Sequence, residues 1–363
     1  MTVSKASAPA TNRGAENARS VLEHLTSCID WVQVTVMEYT LKDICEKLLR
    51  IPMAIMQKDE GKGIKGYSAC LKFGDIRVLE NSGNKPHYQV LMSGQGCRQY
   101  ENFLEGRKAT WFDFFKDVVK YASNVTRLDL AIDDRRTYFD IKTIIQKTKK
   151  GECVGRLRKG REHGGIELAS GESLGSTIVF GSLESECYIV FYEKHYERVE
   201  KLGLTGEKAQ EMLSTSWNRY ELRFRQAKAV AIVHELIKQP DVGKVALGTL
   251  SYYMRFAVRN KNDATRSRWK TWRPWEVFMR DVGRIKLVVE PKIKDFTQLL
   301  SWLEKATAPS LWVVDQIGQI MGEDLVRELI DRAKINEKHH QMVEDYSKQY
   351  QTFREEGKFS VAK

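Results

Sequence analysis

A chain of 363 residues, 42% of them hydrophobic, can bury a sizeable core, and its length suits two domains or one large domain with an appendage. Its 59 Lys and Arg against 48 Asp and Glu leave a formal charge of +11, which favours a polyanionic partner, most often nucleic acid. No apolar run approaches a membrane span, no signal-peptide core opens the sequence, and six scattered cysteines without a CxxC pair argue against a disulfide framework or a thiolate zinc site, so a reducing cytoplasm is the expected setting.

Residues 1–25, polar and rich in small side chains, read as a disordered tail. Strand-type alternation starts with IDWVQVTV (Ile29 to Val36), and the helical stretch LKDICEKLLRI follows. Then come strands YSACLKF, DIRVLEN and HYQVLMSG, helix TWFDFFKDVVKYA, strand TRLDLAID and helix FDIKTIIQKTKK. With short Gly- or Asn-bearing links such as NSGNKP, this order predicts an α+β fold: a largely antiparallel, curved sheet core with flanking helices.

Between Lys147 and Arg161 the run KTKKGECVGRLRKGR sets seven basic residues against one acid, Glu152. Lys147, Lys149, Lys150, Arg156, Arg158, Lys159 and Arg161 are candidate phosphate contacts. STIVFGS and CYIVFYEK then read as a hairpin, with a short helix, HYERVEKLG, closed by glycine. Strand RYELRFR follows, and beyond about residue 226 the chain turns helical: AKAVAIVHELIK, VGKVALGTLSYYMRFAVRN and PWEVFMRDV. Between the last two, RNKNDATRSRWKTWRPW interleaves basic residues with three tryptophans, as single-stranded nucleic acid binding requires. Arg266, Arg268, Trp269, Lys270 and Arg273 are the candidates there, and a solvated loop with core tryptophans is the plainer reading. Three amphipathic, short-linked segments over 292–335 predict a small helical bundle within a C-terminal helical extension, 283–340, before a polar tail, 341–363.

Three strands carry the chemistry. In TRLDLAIDD, Leu128, Leu130 and Ile132 share one face, while Arg127, Asp129 and Asp133 share the other, with Ala131 between the acids. In NRYELRFR, Tyr220, Leu222 and Phe224 are apolar, opposite Arg219, Glu221, Arg223 and Arg225, a pattern that salt bridging alone can explain. In CYIVFYEKHYE, Tyr188, Val190 and Tyr192 share a face, and Tyr196 falls beyond the strand. Carboxylates beside a strand tyrosine suit metal-assisted phosphoryl transfer, since Mg²⁺ or Mn²⁺ takes oxygen ligands and a substrate phosphate together.

Together, in this order, TRLDLAID, FGS-x-x-S-x-x-YIVFYEK and W-x-RYELRFR resemble the trans-acting Rep family, which contains rolling-circle replication initiators and MobT-type conjugative relaxases. IDWVQVTV, with its acid before an aromatic, also fits, and the similarity covers about Cys28 to Val282, which sets a nicking-closing domain at 26–282. The resemblance implies an origin-specific, metal-dependent enzyme that cuts one DNA strand through a tyrosine to give a 5′-phosphotyrosine intermediate. It assigns the nucleophile to Tyr192, metal contacts to Asp129, Glu221 and, less directly, Asp133, and a phosphate-orienting or Glu221-pairing role to Arg219. The His-hydrophobe-His signature of the other nicking class is absent, as is any GxxxxGK[ST] motif, so a host helicase is an implied partner alongside origin DNA, single-stranded or hairpinned at the nick. Family initiators act as dimers, so a homodimer is a further possibility. WLEKATAPSLWVV-x-x-IG resembles the C-terminal part of MobT relaxases and favours a relaxase over a plasmid or phage initiator. A non-catalytic origin-binding protein is the alternative of another class.

Overall fold

The structure, a computed structural model, describes residues 24–58, 67, 69–81, 83, 86–168, 171–283 and 307–335, with isolated positions beyond. Most of the expected N-terminal tail, the C-terminal tail and the first bundle segment, KDFTQLLSWLEKA, lie outside the described residues.

The strands of the first half are β1 (Leu25–Val36), β2 (Gln57–Lys58), β3 (Ala69–Phe73), β4 (Ile76–Asn81), β5 (His87–Met92) and β6 (Asn124–Asp134). Those of the second are β7 (Cys153–Gly155), β8 (Gly160–Ile166), β9 (Ser173–Phe180), β10 (Cys187–Glu193), β11 (Asn218–Arg225) and β12 (Met254–Phe256). Ten of them form one sheet in the order β2-β3-β4-β5-β1-β6-β11-β10-β9-β8, and the pairings within it are antiparallel. The α+β architecture expected from the alternation is therefore the architecture observed. β1 starts earlier than its alternation suggested, because buried Leu25 pairs with Asp134.

Most of the helices cover one face, and the helix Lys194–Leu202 borders the other. The first, α1, runs Leu41–Asp43 and continues as a π-helical turn over Ile44–Leu49. After it come α2 (Gly94–Gly106), α3 (Trp111–Tyr121), α4 (Ile141–Lys149), α5 (Lys194–Leu202), α6 (Gly206–Ser214), α7 (Gln226–Lys238), α8 (Val242–Tyr253) and α9 (Arg273–Val282). Further along lie α10 (Ala308–Met321) and α11 (Leu325–Asp331). Thr110 and Asp113 form a reciprocal capping box that fixes the start of α3. Under the helices, Leu128, Leu130, Ile132, Ile189, Phe191 and Leu222 meet Phe114, Val118, Ile144, Val233 and Phe278 in a single core. Each such buried side chain contributes about 1.5–3 kcal/mol. Phe191 and Tyr220 pack edge to face at 4.6 Å, locking β10 against β11 directly behind the polar face.

Two sequence expectations change here. VGKVALGTLSYYMRFAVRN is not one helix: α8 ends at Tyr253, and Met254–Phe256 becomes β12, because Met254 and Phe256 are buried on alternate positions while β7 supplies its ladder. Close pairing there depends on Gly155, where a Cβ would lie 2.1 Å from the Tyr253 carbonyl oxygen. Helix α2 was not foreseen.

Candidate active site

The uncovered face of β1, β6, β11 and β10 carries the charged residues. Antiparallel register sets Asp133 against Arg219, Ala131 against Glu221 and Asp129 against Arg223, while Tyr192 on β10 faces Arg219 and Val190 faces Glu221. These side chains floor a cavity of about 850 Å³, which Asp30, Asp129, Asp133, Tyr192, Arg219 and Glu221 all line. Expected catalytic and metal residues from three strands well separated in the chain are thereby brought together.

Tyr192 is the best-placed of the three tyrosines. Its hydroxyl donates to Glu221 Oε1 at 2.6 Å and accepts from Lys194 Nζ at 3.2 Å. Burial, then the Glu221 charge, push the phenol above its ordinary pKa despite Arg219, so the resting hydroxyl keeps its proton. Tyr188 is buried, and its hydroxyl accepts from Arg225 at 3.2 Å, so it supports the sheet and does not open on the cavity. Tyr196 lines the cavity from α5 and lies over Gly175, whose φ of +103° and closeness to Tyr196 leave no room for a side chain.

The carboxylates divide by their partners. Asp133 takes Arg219 through both oxygens at 2.7 Å and the Trp217 indole N–H at 2.7 Å. Burial raises its pKa, but Arg219 and Trp217 outweigh that and hold it below the usual range. Asp129, fully buried, accepts from Arg127 and lies 3.7 Å from Arg223, yet burial pushes its pKa up to about 6. Glu221 pairs with Arg223 and sits low despite burial, because Arg223, the Tyr192 hydroxyl and Arg219 favour its charged form. Arg219 joins Asp133 to Asp30 at 2.8 Å and is buried among them. It pairs with these acids and not with Glu221.

Carboxylate oxygens on a cavity floor suit a hard divalent ion. Asp129 and Glu221 are diagonal neighbours across β6 and β11, with the Arg223 guanidinium serving both, which marks the place where positive charge is wanted. Protein donors already engage both oxygens of each of the three acids. Asp133 fits less well because its donors are the buried Arg219 fork and the Trp217 indole, whereas Arg127 and Arg223, which hold Asp129 and Glu221, are partly exposed and free to turn away. Among the described residues no three His, Cys, Asp or Glu side chains form a ready-made metal shell, so water and substrate oxygens would have to complete one.

Several residues of the site were given no role from the sequence, although the acid of IDWVQVTV and Arg127 were noted there. Asp30 lies at a bulge in β1, beside Arg219. Lys194 begins α5 immediately after β10. Arg127 stacks on Trp31 at 4.0 Å and Arg135 on Trp217 at 4.1 Å, and all four line the cavity. The Lys of FYEK, two residues beyond the tyrosine, was the available signal for Lys194.

The two basic runs come together, because β7 pairs with β12 and Arg266 donates to the Cys153 carbonyl. Lys150, Arg156, Arg158, Lys159, Arg161, Lys270 and Arg273 are exposed there. Exposed Lys149 pairs with Glu162 at 2.7 Å, and Arg268 with Asp263 at 3.1 Å. Lys147 is held by Glu152 at 2.7 Å and lies over the Trp272 ring at 4.8 Å, inside the fold. Trp269 is buried, its indole donating to the Asp263 carbonyl at 2.6 Å, so it anchors the loop and offers no free stacking face. Among the described residues no helix is long and apolar enough to cross a membrane.

Residues 123–330 match the family described as Replication initiation factor, and residues 26–117 match the N-terminal domain of rolling circle replication initiation proteins. The chain belongs to this replication initiation factor family. One relative in the family's neighbourhood is NicK of Bacillus subtilis (strain 168), described as a candidate DNA relaxase, 37% identical over 344 residues that cover 93% of this chain and 96% of NicK. The fold also matches a solved rolling circle replication initiator protein from Geobacillus stearothermophilus, with a TM-score of 0.63 and 28% identity, over 73% of this chain and 99% of that one. The family match runs past residue 282 to residue 330, taking in α10 and all but the last residue of α11.

Proposed function

We propose that this protein is an origin-specific DNA nicking-closing enzyme, a relaxase of a mobile element, that cuts one strand through Tyr192. The observation that carries the reading is the Tyr192 hydroxyl, held at 2.6 Å by Glu221 on the floor of a cavity rimmed by Arg127 and Arg135. Glu221 accepts the tyrosine proton as the phenolic oxygen attacks the scissile phosphate, giving a 5′-phosphotyrosine ester and a free 3′-hydroxyl. The ester conserves the energy of the broken bond, so closing needs no ATP. Arg219 positions the acids around the nucleophile through Asp133 and Asp30. A divalent ion, Mg²⁺ or Mn²⁺, held by Asp129 and Glu221 together with phosphate oxygens and water, would polarise the phosphate. The joined basic surface around β7 and β12 grips the origin DNA, and a host helicase supplies unwinding. Homodimer formation is compatible with this scheme and is read out by solution mass.

The near-complete correspondence with NicK, in both chains, favours the relaxase over the initiator reading. The initiator reading draws on the Geobacillus fold match, and autonomous replication of an origin plasmid by the isolated gene separates the two. The chemistry is tested with a labelled single-stranded oligonucleotide carrying the element's own origin, incubated with Mn²⁺ and wild type, Tyr188→Phe, Tyr192→Phe or Tyr196→Phe. Loss of the covalent band in Tyr192→Phe alone is expected. A wild type that binds its origin without forming an adduct is a binding protein instead.

A further inference from the structure

We infer that Lys194 is a catalytic residue of the strand transfer, its ammonium stabilising the Tyr192 phenolic oxygen as it gains charge on attack and again as it departs on closing. The inference rests on the reading of Tyr192 as nucleophile. Lys194 Nζ donates to that oxygen at 3.2 Å while the hydroxyl itself donates to Glu221. The position is built, not incidental. Lys194 is only 7% exposed, its backbone N–H donates to the Trp217 carbonyl at 2.8 Å, and Glu197, one turn along α5, pairs with its ammonium. A surface lysine would cost nothing to leave in water, whereas a buried ammonium is costly unless its partners repay the desolvation.

The geometry fixes which oxygen the cation serves. Attacking and leaving oxygens lie in line on opposite sides of phosphorus. A cation bonded to the tyrosine oxygen therefore faces the attacking group in nicking and the leaving group in closing. In nicking, the Tyr192 hydroxyl gives its proton to Glu221, its oxygen bonds to phosphorus, and the P–O3′ bond breaks with its electron pair passing to the 3′ oxygen, which takes a proton from solvent. Closing runs the same bonds in reverse: the 3′-hydroxyl attacks, and the phenolate leaves beside Lys194 to recover its proton from Glu221. One residue must then affect both directions alike.

The test uses the full-length protein as wild type, Lys194→Met, Lys194→Arg and Tyr192→Phe, with a single-stranded oligonucleotide carrying the element's origin. Methionine keeps a stem of similar size in the packing and removes the ammonium with its hydrogen bonds. Single-turnover adduct formation, closing of a preformed adduct by an added 3′-hydroxyl strand, oligonucleotide Kd and thermal melting are measured for each. The expectation for Lys194→Met is a fall of about a hundredfold in both nicking and closing rates, with Kd unchanged and the protein still fully folded at the assay temperature, since Glu197 keeps Lys201 as a partner, and at least partial recovery in Lys194→Arg. Wild-type rates in Lys194→Met overturn the inference, as does a rate loss that follows Kd or melting and that arginine does not repair. An adduct that persists in Tyr192→Phe overturns the underlying nucleophile reading instead, and the two failures are told apart by which variant shows them.

Discussion

The Tyr192 hydroxyl donates to Glu221 Oε1 at 2.6 Å across the β10–β11 pair, although the residue directly opposite Tyr192 in register is Arg219. The bond is thus diagonal, which lets one glutamate serve two neighbours: Oε1 faces the tyrosine and Oε2 faces Arg223. Glu221→Gln keeps the shape and can still accept a hydrogen bond, but it cannot take the proton. Adduct formation should fall by about 10²–10⁴-fold with origin binding retained, as expected for loss of a general base. A gel assay of covalent complex beside a binding titration checks this, and wild-type adduct levels in the variant would remove Glu221 from the proton path.

Asp133 supports the site through Arg219, and its removal should register as lost stability. Asp133→Asn leaves a buried guanidinium with Asp30 as its remaining acid, at a cost of about 3 kcal/mol at neutral pH. The pH sign follows from a folded pKa held below the ordinary aspartate value. Such a group contributes stability that is present above the unfolded value near 3.9 and is lost as pH falls through the lower folded value. The deficit of Asp133→Asn should therefore be full at pH 7 and shrink below about pH 4. Denaturant melts of both proteins across that range give the answer, and a deficit independent of pH would mean that the carboxylate charge is not what matters.

Why these positions were legible, and others not, has physical causes. On β6, β10 and β11 one face must be apolar to meet α7 and α9, so period-two alternation displayed the acids, Tyr192 and the arginines on the other. Helix α2 hides its inner face: Arg98 and Glu101, paired at 2.7 Å, are buried among Cys97, Tyr100 and Leu104, so charged residues interrupt the apolar stripe that would mark it. Strand β8, GREHGGI, is almost wholly exposed, and without a buried face it shows no alternation. Its place in FYEK was the one sign of Lys194, and nothing in the pattern marks it as buried. Only the strand-to-helix junction after Glu193 turns it inward. The meeting of β7 with β12 joins segments far apart in the chain, which no local signal encodes.

That junction yields a contrast between two neighbours. Trp269 is buried and hydrogen-bonded, so Trp269→Ala should cost about 3–5 kcal/mol of stability. Exposed Arg156, Arg158 and Lys159 touch little of the core, so replacing all three by Ala should leave melting unchanged. Origin affinity should drop, and the slope of log K against log salt should become shallower by about 0.7–0.9 for each phosphate that is no longer neutralised. Fluorescence anisotropy at several salt concentrations measures it. An unchanged slope would move the DNA path away from this surface.

Metal binding separates the three carboxylates most directly. A ligand that binds only the folded state stabilises it by RT ln(1 + [L]/Kd), about 2.7 kcal/mol at a hundredfold excess over Kd. Mn²⁺ should therefore raise the melting temperature of wild type by several degrees, and a chelator should reverse the rise and abolish adduct formation. Asp129→Asn should lose the rise, because Asp129 sits beside Glu221 with Arg223 as their shared cation. Asp133→Asn should keep it from a lower starting temperature, since Asp133 is committed to Arg219 and Trp217. The opposite pattern, with the shift lost in Asp133→Asn and kept in Asp129→Asn, would place the ion at the Arg219 end of the strand and require that arginine to swing away. The direction of the Mn²⁺ shift in these two variants therefore decides which end of β6 faces the phosphate.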